Sequence, residues 1–244
     1  MALILSIETT THVCSVAFIK DGQLLHLRED HEGRSHASLL SHFIEEILKE
    51  EGLTVKDLDA VSISRGPGSY TGLRIGVSTA KGLCYGADKP LIAVSTLQAL
   101  TQGLLDALKA TTNPPPVDDQ TILVPMLDAR RMEVYSAFLN RNLEFVRDVK
   151  AEVLDETSYQ DWLRDHHMVF FGNGAAKCRE VISHPHAYFV DGIETSAQHM
   201  AALSEKKYQA GAFEDVAYFE PFYLKDFIAT KPRKNIFPRT NPKK

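Results

Sequence analysis

The sequence has 244 residues, 44% of them hydrophobic and 24% charged, with 27 lysines and arginines against 32 acids. That is the composition of an ordinary globular protein with enough apolar mass for a sizeable core, and no apolar run reaches the ~18 residues of a membrane span. Three widely spaced cysteines (Cys14, Cys84 and Cys178) exclude a disulfide framework and a zinc knuckle, so a reducing cytoplasm is the expected compartment.

The opening Met1-Ala2-Leu3-Ile4-Leu5 has no basic segment and runs directly into a strand pattern, so no signal peptide is expected. Apolar runs at 3–7 and 13–19 are followed by Asp21-Gly22, a hairpin turn, and a third strand at 23–27. Between the first two strands lies a polar loop, Glu8-Thr9-Thr10-Thr11. From Ser35 the period changes. Leu39, Leu40, Phe43, Ile44, Ile47 and Leu48 share one broad helical face, and Gly52 ends the helix. A strand at 60–64 leads through Gly66-Pro67-Gly68-Ser69 into a second helix that starts near Tyr70. This helix carries Gly72, Gly76, Ala80 and Cys84 at i+4 spacing. Glycine costs a helix ~1 kcal/mol relative to alanine, so the stripe calls for a close approach of another backbone.

A strand at 91–94 and a helix at 96–109 precede the three prolines at 114–116, the clearest loop in the chain. Strands at 122–127 and 133–139 follow, with an Arg141-Asn142 turn into a third. A helix near 157–165, a strand at 168–171, helices at 175–183 and 196–210 and a strand at 187–190 complete the pattern. The second half repeats the plan of the first, which predicts a duplicated α/β fold. Residues 225–244 hold seven basic residues and one acid, leaving 20 bases against 31 acids in the first 224. The acidic body is therefore excluded as the main surface for a polyanion, and the tail is expected to be a solvated terminus with a possible role at RNA or at a partner's acidic face.

The familiar catalytic patterns fail. No G-x-x-x-x-G-K-[ST] loop and no G-x-S-x-G elbow is present. Gly172-Asn173-Gly174-Ala175-Ala176-Lys177 falls short of a dinucleotide fingerprint and reads first as a tight strand-to-helix turn. His31 and His36 would lie roughly 140° apart on a helix, and His166-His167 and His184-Pro185-His186 lack a third ligand. Asp128 and Glu133 around Arg130-Arg131 read as a charge-paired turn.

Four stretches carry a resemblance: Ile4-Leu5-Ser6-Ile7-Glu8-Thr9-Thr10-Thr11; Ser64-Arg65-Gly66-Pro67-Gly68-Ser69-Tyr70-Thr71-Gly72-Leu73-Arg74-Ile75-Gly76; the run from Leu127 to Tyr135; and Pro221-Phe222-Tyr223-Leu224. Over residues 1 to about 228 the chain resembles the TsaB (YeaZ) family. The resemblance implies the actin/hexokinase/Hsp70 superfold, with two RNase H-like lobes at 1–105 (joined by about 218–230) and 106–217, and a basic tail at 231–244. It further implies a non-catalytic subunit in bacterial synthesis of threonylcarbamoyladenosine beside the tRNA anticodon. Such a subunit binds the related transferase TsaD and, through that pair, the ATPase TsaE; it forms a homodimer when alone and meets tRNA only indirectly.

Where the catalytic relative carries an acidic Cys-Asp-Glu, this chain has Thr11, His12 and Val13. Where that relative places two metal-binding histidines, it has Thr96 and Leu100. No metal and no required cofactor is therefore expected. Weak or complex-dependent ATP or ADP binding is assigned to vestigial loops at Glu8, Thr9 and Thr10 and at Gly172, Asn173 and Gly174. The partner interface is assigned to Leu39, Leu40, Phe43, Ile44 and Ile47 on the first helix, which is divided between core and interface. On the second helix it is assigned to Tyr70, Gly72, Leu73, Arg74, Gly76, Val77 and Ala80, and Gly76→Leu is expected to abolish partner binding while sparing the fold. The rival readings are a kinase or ATPase of the same superfold and, last, a metalloprotease.

Overall fold

The computed structural model describes residues 2–33 and 35–225. The elements follow the expected order: β1 (Leu3–Glu8), β2 (Cys14–Lys20), β3 (Gln23–Asp30), α1 (His36–Glu51), β4 (Ala60–Ser64), α2 (Tyr70–Ala87), β5 (Leu91–Val94) and α3 (Thr96–Lys109). Then come β6 (Ile122–Asp128), β7 (Glu133–Leu139), β8 (Phe145–Val153), α4 (Gln160–Asp165), β9 (Met168–Phe171), α5 (Ala175–Val181), β10 (Ala187–Val190) and α6 (Ala201–Gln209). The helix expected at 196–210 begins as a 3-10 turn at Ala197–Met200.

Two five-stranded sheets result, ordered β3-β2-β1-β4-β5 and β10-β9-β6-β7-β8. Read from its other edge, the second sheet is the first again. β1, β2 and β3 form an antiparallel meander, as do β6, β7 and β8; β4 and β5 add in parallel to β1, and β9 and β10 to β6. The hairpin turns rest on positive φ at Asp21 and Gly22 and at Arg130 and Arg131, the twist that two-residue turns need.

Strand alternation sorts the cores. Leu5 and Ile7 face Leu40, Ile44, Ile47, Val77 and Ala80 of α1 and α2, whereas Ile4 faces Ala99, Met200 and Ala201 on the opposite side. In the second sheet Val124 and Met126 pack toward Leu163 and Cys178, while Leu123 and Leu127 pack toward Leu97, Leu100 and Leu104. Helix α3 thus lies between the two sheets, supplying Ala99 to one core and Leu100 to the other. The duplication is unequal: α1 and α2 have 16 and 18 residues, and their counterparts α4 and α5 have 6 and 7.

The expected span of 106–217 for the second lobe needs correction. Ala197, Met200 and Ala201 are in the core of the first sheet, and the Glu214 amide donates to the Leu91 carbonyl. The chain has therefore returned to the first lobe by Ala197, and 218–225 continue along it. The apolar spacing of 197–208 gave a helix but not which sheet it covers. The basic tail at 231–244, with 226–230, lies outside the described residues.

Candidate functional site

The glycine stripe of α2 is filled from within. Thr9 donates its hydroxyl to the Gly72 carbonyl at 2.9 Å, and the Ser69 amide donates to the Thr10 carbonyl at 2.6 Å. A Cβ on Gly68 would lie 2.4 Å from the Thr10 oxygen; on Gly72, 2.0 Å from the Thr9 oxygen; on Gly76, 2.3 Å from Thr9 Oγ1. The close backbone approach that the sequence demands is thus that of the chain's own β1–β2 loop. Gly72, Leu73, Gly76, Val77 and Ala80 are all buried, so their assignment to a partner surface is corrected. Leu40, Ile44 and Ile47 are likewise core, with Leu39 and Phe43 half-buried beside them. Of the expected interface residues on α2, Arg74 is exposed and Tyr70 half-buried.

What α2 presents outward is a different set. Thr71, Ser78, Gly82, Tyr85 and Gly86 are exposed, and a Cβ on Gly82 or Gly86 would meet nothing within 4 Å. Next to this stripe an apolar groove of about 580 Å³ runs between α1 and α2, lined by Ile44, Leu48, Leu53, Val55, Thr79 and Leu83. Sequence reasoning stopped at Cys84 and missed both features. The signal available was Ser78-x-x-x-Gly82-x-x-x-Gly86, a second small-residue row turned away from the first.

Between the lobes lies a cleft of about 710 Å³. Its walls include Thr10, Ser69 and Tyr70 from the first lobe and Asp128, Arg130 and Asn173 from the second. The two loops assigned to phosphate binding are largely self-satisfied. Glu8 is fully buried; its Oε1 accepts the Thr10 amide at 2.6 Å and the Thr10 hydroxyl at 2.5 Å. Burial pushes its carboxyl above the ordinary range, against the lowering effect of the Ser64 and Thr10 hydroxyls. In the other loop the Gly174 amide donates to the Met126 carbonyl, and Asn173 Oδ1 accepts the Asp128 amide at 2.9 Å. A Cβ on Gly172 would meet the Met126 oxygen at 2.4 Å, so this glycine serves close packing on β6. The Thr10 and Gly174 amides, which a phosphate would need, are occupied within the chain, and this corrects their assignment as phosphate donors.

The acids around Arg130-Arg131 do not pair with those arginines' side chains. Asp128 Oδ1 accepts from Lys177 Nζ at 2.5 Å; Lys177 holds its carboxyl below the usual range although burial acts in the opposite sense. Glu133 pairs with Lys225. Several of the histidines make local contacts within the chain. His31 contacts Glu194 and Glu29, His36 Nε2 meets the Thr11 carbonyl, and His186 Nδ1 meets the Leu163 carbonyl. Among the described residues no group of three His, Cys, Asp or Glu side chains is arranged to hold a metal ion. Thr96 shares a 2.7 Å hydrogen bond with Ser64, and Leu100 is sealed in the inter-sheet core. A buried hydroxyl and a hydrocarbon do not fit an iron- or zinc-type ligand set.

Two sheets of one repeated topology, with a cleft between the lobes that carry them, define a two-lobed α/β protein. A family described as TsaD: tRNA N6-adenosine threonylcarbamoyltransferase matches residues 30–232. The chain is 30% identical over 240 residues to the tRNA threonylcarbamoyladenosine biosynthesis protein TsaB of Escherichia coli K12, covering 93% of this chain and 96% of that one. It is 37% identical over 132 residues to the TsaB protein of Haemophilus influenzae, spanning about half (51%) of that relative's length. The solved structure of YeaZ from Pseudomonas aeruginosa superposes with a TM-score of 0.74 at 25% identity, covering 92% of this chain and all of that one. The chain belongs to this threonylcarbamoyltransferase-type family, in its TsaB (YeaZ) group.

Proposed function

We propose that the protein is a non-catalytic subunit in the synthesis of threonylcarbamoyladenosine on tRNA, and that it works by binding the transferase TsaD. The carrying observation is the pair Thr96 and Leu100. The hydroxyl is bonded to Ser64 and the leucine is packed in the core, at the two positions where the resemblance to the catalytic relative implies metal-binding histidines. Membership of a family that also contains the transferase supports the pairing, because related folds present related faces.

The partner face is the outer side of α1 and α2. Exposed glycines in a helix interior cost ~1 kcal/mol each and are explained when another helix must approach closely. Gly82 and Gly86 supply that closeness, and the Ile44–Leu83 groove supplies apolar area beside it. The same face serves a homodimer when TsaD is absent. TsaE joins through the pair, tRNA is met indirectly, and ATP or ADP binding is weak or depends on the complex. Reconstitution tests the reading: TsaD, TsaE, tRNA and a threonylcarbamoyl donor are incubated with and without this chain, and modified adenosine is quantified. Product should require the chain with TsaD, and the chain without TsaD should give none. Product from the chain without TsaD would overturn it in favour of an enzyme of the same superfold.

A further inference from the structure

The segment after α6 does more than finish the first lobe. The Glu214 amide donates to Leu91, and Lys81 Nζ of α2 donates to the carbonyls of Ala217 and Phe219, both at 3.0 Å. The Phe222 amide then donates to the Arg65 carbonyl at 2.7 Å. A Cβ on Gly66 would lie 2.8 Å from the Phe222 oxygen, so that glycine permits the segment to lie against the β4–α2 loop. The Tyr223 ring packs on Tyr70 with centroids 5.0 Å apart. Two residues later Lys225 pairs with Glu133 of β7, in the second lobe. Phe222, Tyr223, Leu224 and Lys225 all line the cleft on the way.

The chain passes between lobes after α3 and returns through Thr195, which bonds Thr11. The strap adds to the packing of α3 between the two sheets; it is held at many points on the first lobe and, among the described residues, by the Lys225–Glu133 ion pair on the second. We propose that residues 214–225 form a latch across the inter-lobe cleft, with Lys225–Glu133 as its catch. The distribution of contacts makes it releasable. An ion pair at the surface shifts a two-state equilibrium only up to about fivefold, so the catch biases the cleft toward closure without locking it. The anchoring on Lys81 and Tyr70 also ties the latch to α2. The latch stands independently of the partner reading.

The native cysteines make a direct test practical. Cys14, Cys84 and Cys178 are buried, and burial pushes their thiols up to about 11, 11 and 12, so they react slowly. Ala129→Cys places a thiol on the second-lobe wall of the cleft. The rate of its labelling by a bulky maleimide dye is measured in the full chain, alone and with Glu133→Gln, Lys225→Gln or the charge swap Glu133→Lys/Lys225→Glu. Either single change should raise the rate about two- to fivefold with the unfolding midpoint unchanged. The swap should return it to the parental rate. High salt should raise the parental rate and leave the Gln variants unaffected. Parental labelling rates in both single variants would overturn the latch, as would a swap that labels as fast as the singles.

Discussion

The Thr9 hydroxyl donates to the Gly72 carbonyl at 2.9 Å, and a Cβ on Gly72 would stand 2.0 Å from the Thr9 carbonyl oxygen. The β1–β2 loop and the first turns of α2 are therefore one packed unit, and the glycines of that helix divide into two kinds. Gly72 and Gly76 are obligatory for the monomer, whereas Gly82 and Gly86 face open space.

Gly72→Ala should lower stability by about 3 kcal/mol or more, because the obstructing atom is the Thr9 backbone oxygen, and Gly76→Leu should cost about as much, because its larger side chain meets the buried Thr9 and Ile63 side chains. Gly82→Ala, in the same helix, should raise stability by about 0.5–1 kcal/mol by restricting the unfolded chain. Urea unfolding of the three variants checks both signs.

Glu8 gives a pH dependence of defined direction. Its folded-state pKa lies above the unfolded value, so the stability associated with its protonated form is present at low pH and is lost as pH rises through the folded-state value. Glu8→Gln keeps an oxygen for Thr10 and removes the ionisation. Its unfolding free energy should vary less with pH than that of the parent between about pH 4.5 and neutrality. Parallel profiles would show that Glu8 is charged in the folded protein.

Glu152 should behave oppositely. It accepts Arg147 Nη2 at 2.7 Å, the Ser136 hydroxyl at 2.5 Å and the Tyr159 hydroxyl at 2.9 Å, while the Arg147 guanidinium lies 3.6 Å from the Phe138 ring centroid. Burial alone would raise its carboxyl, but Arg147 and the hydroxyls hold it below the ordinary range. Its contribution is therefore present above the unfolded-state pKa and is lost as pH falls through the lower folded value. Glu152→Gln should cost about 1–3 kcal/mol at pH 7, since it strands a mostly buried guanidinium. The gap from the parent should narrow in unfolding curves taken below about pH 4.

Much of this was legible in the residues. Short continuous apolar runs at Leu3–Glu8 and Ile122–Asp128 and the helical face from Leu39 to Leu48 placed the strands and helices, and the repeated order disclosed the duplication. What could not be read was the identity of the neighbour. The i+4 row at Gly72, Gly76 and Ala80 announces close approach but not whether Thr9 or another protein makes it. Likewise, 197–208 has the apolar content of a packed helix without naming its sheet. The Lys225–Glu133 pair joins residues 92 positions apart, which no local pattern reports.

The central claim, that this is a TsaD-binding subunit acting through the outer face of α2, is tested most directly by the dissociation constant of the purified pair. It should be measured for the parent, Ser78→Arg and Gly82→Leu, with unfolding midpoints recorded alongside. The account predicts that both substitutions weaken binding at least tenfold while the midpoints stay within a few degrees of the parent. Binding at parental affinity by both folded variants would contradict it.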